Sequence, residues 1–232
     1  MGKSIYSDRL PDELPDDPMH WADAWIREAV AGDIQRNPNS VTVITVDADS
    51  NPSARVMLCK QFVPDPGYFV FYTNYNSRKV REIDQCAKVA AVFHWDALGR
   101  QIRIEGLAVR SPESESDDYF KTRDRGSQLG AWASDQSETV ESREALLAQL
   151  NERAAQLGLT LSDGLQAVAG NGQPRIDRPP HWGGIRVWAS AIELWIEGRD
   201  RIHERGEWRR KLVRTSDHEF STTPWTGVRL QP

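Results

Sequence analysis

The chain has 232 residues, 39% of them hydrophobic, with nine tryptophans and a formal net charge of −5. This length buries a proper core and suits one large domain or two small ones, while the acidic balance argues against nucleic acid, since binding a polyanion needs a basic footprint. Two cysteines, Cys59 and Cys86, cannot build a secreted disulfide framework, and apolar runs such as VTVITV (41–46) are far too short for a membrane span.

Residues 1–16 are rich in Asp and Pro and short of large apolar side chains, which predicts a mobile arm. MGKSIYS has no signal-peptide core, and Tyr6 stands where a myristoylation motif wants Ser or Thr, so a reduced, cytoplasmic protein is expected. The rest, 17–232, reads as a single domain. Asp17 and Pro18 predict an N-cap and first helical position, opening an amphipathic helix to about Ala31 with Trp21, Trp25 and Ala29 facing the core. From Val41 the apolar period becomes two. VTVITVDAD, ARVMLCKQFV and YFVFYTN predict three successive antiparallel strands, separated by a turn at Ser50 and Asn51 and by a Pro-Gly turn.

Ser77 is placed to cap a short helix, SRKVREIDQC, and KVAAVFHW and RQIRIEGLAVR then predict two strands joined at Ala97 to Gly99. Ser111 and Pro112 start a helix through Tyr119 and Phe120. A longer one, from about Thr139 to Gln156, presents Leu146, Leu150 and Ala154 on one face. Residues 158–180 have turn chemistry without a period. Strands return in IRVWASAIELWIEG, RIHERGEWRRKL and WTGVRL. Hairpin-like succession with helices between groups predicts a mainly β fold with added helices, an antiparallel barrel of the α+β class.

Several groups of residues carry candidate chemistry. Arg55 and Lys60 lie in RVMLCK, and Ser77, Arg78 and Lys79 open a helix. A helix N-terminus with cationic side chains beside it suits a phosphomonoester, although SRK alone reads more simply as a solvated helix face. Tyr119, Arg123 and Ser127 recur every four residues, so on one helix they would share a face and offer donors for a second phosphate; a surface Arg beside a half-buried Tyr is the plainer alternative. Arg201, His203 and Arg205 alternate, which along a strand would place all three on one sheet face. The five histidines form no HExxH or Cys/His spacing, so no metal is expected. Gly170 and Gly172 form a lone GxG without a following helix, which disfavours a nicotinamide site.

The strings ELWIEGRDRIHER, RPPHWGGIRV, FYTNYNSRK, RVMLCK, GRQIR and YFKTRDRGSQLGAWASDQS resemble the signature segments of the pyridoxine (pyridoxamine) 5'-phosphate oxidases, flavin enzymes that make pyridoxal phosphate. The resemblance spans about Asp17 to Pro232. It implies the FMN-binding split barrel, a homodimer with two active sites formed between subunits. By it, Arg55, Arg78, Lys79, Gln136 and Ser137 grip the FMN phosphate and ribityl chain. Tyr72, Thr73, Gln101, Trp195 and Arg205 sit around the isoalloxazine. Val56, Met57, Leu58, Cys59, Lys60 and Ser77 complete the flavin-binding segments.

Lys60, Tyr119, Arg123 and Ser127 take the substrate phosphate in the same resemblance, and Arg201 and His203 match an R-x-H pair against the substrate ring. Arg201 then serves orientation and electrostatics, and His203 positions by hydrogen bonds. The implied reaction moves a hydride equivalent from C4' of pyridoxamine or pyridoxine 5'-phosphate to FMN, which O2 reoxidises with release of H2O2. A phenazine-pathway flavin oxidase on the same barrel and a non-catalytic flavin- or pyridoxal-phosphate-binding module are the alternatives. The chain departs from the family pattern at Asn37, Cys59, Trp188 to Ser190 and the WIEG string, all of which bear on the pocket rim.

Overall fold

The computed structural model describes residues 9–159 and 175–232. The lone GxG at Gly170 and Gly172, and Tyr6, lie outside the described residues. The chain divides into two compact units where the sequence reading takes one domain: the first gathers the described residues up to Phe71, Glu82–Arg110 and Ile185–Pro232, the second Tyr72–Arg81 and the described part of Ser111–Gly184.

The first unit is built on a mostly antiparallel sheet. β1 (Ser40–Val46) pairs with β2 (Pro52–Leu58) and with β5 (Lys88–Trp95). The order continues through β6 (Arg100–Arg110), β7 (Trp182–Ile196) and β8 (Glu204–Arg209) to β11 (Thr226–Arg229). β4 (Tyr68–Asn74) leaves this path, pairing with β3 (Gln61–Val63) and with β7. Alternation sets which face is buried: Val41, Val43 and Thr45 of β1 point inward, as do Val89, Ala91, Phe93 and Trp95 of β5. Phe69, Phe71, Phe93, Trp95, Ile102, Ile104, Ile192, Leu194 and Trp208 dominate this core. Each such side chain stabilises the fold by about 1.5 to 3 kcal/mol when removed from water.

Helix α1 (Met19–Ala31) starts one residue later than expected, with Pro18 rather than Asp17 as its N-cap. The Asp17 carboxylate accepts the Met19 N–H at 2.8 Å, and Pro18 offers its carbonyl to the Ala22 N–H at 3.0 Å. Trp25 and Ala29 are fully buried and Trp21 half-buried. Leu10 of the predicted arm is buried, and the Pro15 carbonyl accepts the Trp208 indole N–H at 2.7 Å, so these residues are seated on β8.

Two strand readings change. ARVMLCKQFV is broken between β2 and β3, because neighbouring donors serve different strands: Cys59 N–H goes to Asn39 O at 2.9 Å and Lys60 N–H to Val70 O at 2.8 Å. Arg201, His203 and Arg205 do not share a strand. Arg199–Arg201 form a tight turn with Asp200 and Arg201 in left-handed backbone at φ 56° and 65°, His203 follows outside regular structure, and only Arg205 lies in β8. A short hairpin of β9 (Leu212–Arg214) and β10 (Phe220–Thr222) was not anticipated; Phe220 packs on Trp188 at 5.6 Å.

In the second unit, α3 (Glu113–Thr122), α4 (Arg125–Ala133) and α5 (Arg143–Gln156) surround Phe120, Leu129, Ala131, Ala154, Leu159, Ile176 and Trp182. The continuous helix face expected for Tyr119, Arg123 and Ser127 is interrupted. Arg123 ends α3 in extended backbone (φ −74°, ψ 147°), and Asp124 restarts the chain as N-cap of α4, accepting the Ser127 N–H at 2.8 Å. Ser142 caps α5 through the Ala145 N–H at 3.0 Å, so the helix begins at Arg143, four residues past the predicted start at Thr139, and Leu146 is exposed rather than core-facing.

Candidate functional site

In the second unit, β4 runs out at Tyr72, Thr73 and Asn74 and a tight turn feeds α2 (Arg78–Gln85). Asn74 organises this turn: its side-chain carbonyl accepts the Asn76 N–H at 2.8 Å and its amide donates to Ser134 O at 2.9 Å. Ser77 supplies its carbonyl to the Val80 and Arg81 N–H groups, but its hydroxyl does not cap the helix as expected. It donates to Asn74 O at 2.7 Å and accepts from Lys79 Nζ at 3.1 Å.

Lys79 is the centre of the cluster. Its buried ammonium also donates to Thr73 Oγ1 at 3.1 Å and Gln136 Oε1 at 2.7 Å, and the Thr73 hydroxyl donates to the same Gln136 oxygen at 3.1 Å. Beside it the Arg78 N–H donates to Ser137 Oγ at 3.2 Å, with Ser137 at φ 78°. The structure therefore brings Thr73, Ser77, Arg78, Lys79, Gln136 and Ser137 together. An ammonium and the backbone N–H groups of a helix N-terminus set close together are chemistry that suits an anion with several acceptor oxygens.

The same unit stacks three aromatic rings. Tyr72 lies on Tyr119 with centroids 3.8 Å apart and 5.5 Å from Trp182, the planes within 13° in both pairs. Arg123 places its guanidinium 4.5 Å from the Trp182 ring centroid. Its Nη1 is buried with no hydrogen-bond partner among the described residues, and desolvation pulls the guanidinium's pKa down. Ser127, through its hydroxyl and then its N–H, holds the Asp124 carboxyl below the usual carboxylate range. Although α3 and α4 are separate, Tyr119 and Arg123 thus meet around Trp182, a residue the sequence reading quoted only as part of a string.

A cavity of about 300 Å³ in this unit is lined by Asp117, Phe120, Lys121 and residues 175–178. Its cations are matched by carboxylates: Arg178 with Asp117 at 2.6 Å, Arg175 with Asp177 at 3.0 Å and Lys121 with Asp118 at 2.7 Å. None of the candidate residues lines it.

In the first unit, Arg55 is held by its own sheet. Its guanidinium donates to Val43 O, Thr45 Oγ1 and Ser53 Oγ at 3.1, 2.7 and 2.6 Å and pairs with Glu82 at 3.5 Å. Along the same segment Val56 and Lys60 are exposed, Met57 and Leu58 half-buried and Cys59 buried. The Cys59 thiol is pushed up to about 12 by burial and donates to Gln61 O at 3.3 Å. Gln101, Trp195 and Arg205 form a line across three strands, for Gln101 is opposite Trp195 on β6 and β7, and Trp195 opposite Arg205 on β7 and β8.

The Arg205 guanidinium donates to Glu193 at 2.7 Å, which raises its pKa, and to Gln231 O at 2.9 Å. His203 packs its ring 4.6 Å from that of Trp195, and its Nδ1 accepts the Gly198 N–H at 3.2 Å, so the neutral imidazole carries its proton on Nε2. Arg201 is exposed. Glu193 escaped the sequence reading; the signal was one carboxylate inside the apolar run IELWI, on the face of Trp195. Among the described residues no cluster of three His, Cys, Asp or Glu side chains could hold a metal.

Residues 26–156 match the family described as pyridoxamine 5'-phosphate oxidase. Curated relatives named pyridoxine/pyridoxamine 5'-phosphate oxidase include one from Jannaschia sp. (strain CCS1), 41% identical over 94% of this chain and 95% of its own. Another, from Rubrobacter xylanophilus, is 42% identical over 95% and 89%. Among solved structures, PhzG from Burkholderia lata 383 in complex with tetrahydrophenazine-1-carboxylic acid is similar over the full length of both chains, with a TM-score of 0.77 and 27% identity. A pyridoxamine 5'-phosphate oxidase-related, FMN binding protein from Nostoc punctiforme shares the fold at a TM-score of 0.62 and 14% identity, over 93% of this chain and 97% of that one.

Proposed function

The chain belongs to the pyridoxamine 5'-phosphate oxidase family, and from that premise we propose that it oxidises pyridoxamine 5'-phosphate (taking up water and releasing ammonia) or pyridoxine 5'-phosphate to pyridoxal 5'-phosphate with FMN as cofactor, reducing O2 to H2O2. The observation that carries the phosphorylated substrate is Arg123: a guanidinium stacked on Trp182 with Nη1 buried and unsatisfied is poised for an anion's oxygens. The donor set around Lys79 fits the FMN phosphate on its own terms, since a dianion answers a buried ammonium and a helix N-terminus better than any neutral group.

FMN, when bound, supplies the ring that accepts a hydride equivalent and passes the electrons to O2. The protein's work is binding and orientation. In the second unit Lys79, Arg78, Gln136 and Ser137 hold the flavin phosphate, while Tyr119, Arg123 and Ser127 hold that of the substrate. The family resemblance gives Gln101, Trp195 and Arg205 to the flavin ring, Arg55 to the phosphate and ribityl chain, and Lys60 to the substrate phosphate. Arg201 acts on the substrate as a fixed positive charge. His203 donates from Nε2, because Nδ1 is occupied by Gly198. Holding the reacting carbon in place by a pinned phosphate is a proximity effect. The protein acts as a homodimer, as the family resemblance implies, and its two free thiols suit the reducing cytoplasm.

The test is anaerobic titration of the purified, FMN-loaded protein with pyridoxamine 5'-phosphate. Bleaching of the yellow flavin, followed in air by H2O2 and an aldehyde product, is the expected result. A colourless protein that takes up no FMN would sink the proposal. Bleaching by a reduced phenazine carboxylate, the kind of ligand named for the PhzG neighbour, with none by the phosphorylated substrate would replace it by that second activity.

A further inference from the structure

Within the first unit Glu193 is 4% exposed, and its carboxylate is shared by two arginines: Oε1 accepts from Arg205 Nε at 2.7 Å and Oε2 from Arg103 Nη1 at 2.8 Å. The register explains the meeting. Arg103 is directly opposite Glu193 on β6, and Arg205 stands two positions along β8 from Glu193's partner Glu207, opposite Trp195 and so on the same face. The residue directly opposite Glu193 on β8 is Glu207, a like charge that the sheet must offset; Arg209 does so at 2.8 Å.

Such an arrangement is a poor way to gain stability. Desolvating a carboxylate costs several kcal/mol, and an apolar side chain of similar size serves a sheet position as well or better. What the carboxylate adds is order. With Nε fixed by Glu193 and Nη1 by Gln231 O, Arg205 has lost the rotamer freedom that a long cationic side chain otherwise gives up on binding a ligand.

We propose that Glu193 is a positioning residue for the flavin: shared between Arg103 and Arg205, it holds the Arg205 guanidinium in its binding orientation before FMN arrives. The assignment rests on the reading that Arg205 serves the flavin ring. It makes Glu193 act through Arg205 alone, so the two residues must be coupled in FMN affinity, which a general contribution to folding would not produce.

The experiment is a double-mutant cycle of Glu193→Gln and Arg205→Met, with FMN dissociation constants measured by flavin fluorescence quenching and folding checked by near-UV circular dichroism. Glu193→Gln should weaken FMN binding about tenfold, the scale of one charge-assisted hydrogen bond. In the Arg205→Met background the same change should matter less than twofold. Equal losses in both backgrounds, or no loss in either, overturn the assignment alone. Should Glu193→Gln fail to fold, Glu193→Asp, which keeps the charge but withdraws it by one methylene, takes its place in the cycle; if neither folds, the carboxylate is a folding requirement and the assignment falls. A wild-type chain that takes up no FMN removes the underlying reading and the assignment together.

Discussion

The backbone N–H of Gly198 donates to Nδ1 of His203 at 3.2 Å, closing the turn that separates β7 from β8 and fixing which imidazole nitrogen carries the proton. Glycine is required there: a Cβ at 198 would lie 1.7 Å from the Ile202 carbonyl oxygen and 3.2 Å from the His203 backbone nitrogen. Gly198→Ala must therefore reopen the turn. We expect kcat/KM to fall at least tenfold and stability by about 1 to 3 kcal/mol, the usual range for overpacking. Steady-state assays of H2O2 release and urea unfolding midpoints measure the two; unchanged catalysis would detach His203 from the reaction.

That turn also marks where local pattern stops being informative. Alternation of Arg201, His203 and Arg205 is real in the sequence, yet Asp200 and Arg201 adopt positive φ without being glycine, so nothing local announces that the strand begins only at Glu204. The break between β2 and β3 is equally hidden, because Cys59 and Lys60 fit a strand pattern and differ only in which distant carbonyl each N–H reaches. Helix α1, to within one residue at its start, and the β5 to β6 hairpin were legible because their signals are local: the Asp17–Pro18 pair, the spacing of Trp25 and Ala29, and Gly99 at φ 56°. The Lys79 cluster was legible as wording, through FYTNYNSRK and GAWASDQS. Glu193 was not, since its partners lie 90 and 12 residues away.

Arg123 should separate binding from chemistry. Loss of a charge-assisted hydrogen bond to phosphate costs about 1.5 to 3 kcal/mol, roughly ten- to more than a hundredfold in affinity. Arg123→Met is expected to raise KM for pyridoxamine 5'-phosphate by that factor while kcat changes less than twofold. Because Nη1 is buried without a partner among the described residues, the same substitution should leave the melting temperature of the substrate-free protein unchanged or raised. A fall in kcat at constant KM would mean that Arg123 does not hold the substrate phosphate.

Lys79 offers a test specific to phosphate. The ammonium donates to Thr73, Ser77 and Gln136, and Lys79→Gln keeps a polar side chain there while removing the charge. FMN affinity should drop on the order of thirtyfold, a charged hydrogen bond's worth. Riboflavin, which is FMN without the phosphate, should bind within twofold of wild type. Equal weakening of both ligands by isothermal titration would place Lys79 away from the phosphate.

Burial of Cys59 makes a prediction about alkaline pH. Its thiol is raised from 9.0 to about 12 because the thiolate would be desolvated. A folded pKa above the unfolded one means that the folded chain holds its proton longer, so the contribution to stability is intact below pH 9 and is lost as pH climbs from 9 towards 12. Wild type should therefore lose more stability between pH 9 and pH 11 than Cys59→Val, which has no proton to release. In the same native protein at pH 8, iodoacetamide followed by mass spectrometry should label the half-buried Cys86 and spare Cys59. Parallel pH profiles for the two proteins, or labelling of Cys59 as fast as Cys86, would mean that the segment around Lys60 opens readily in solution, and with it the ordered path that carries the chain from β2 into β3.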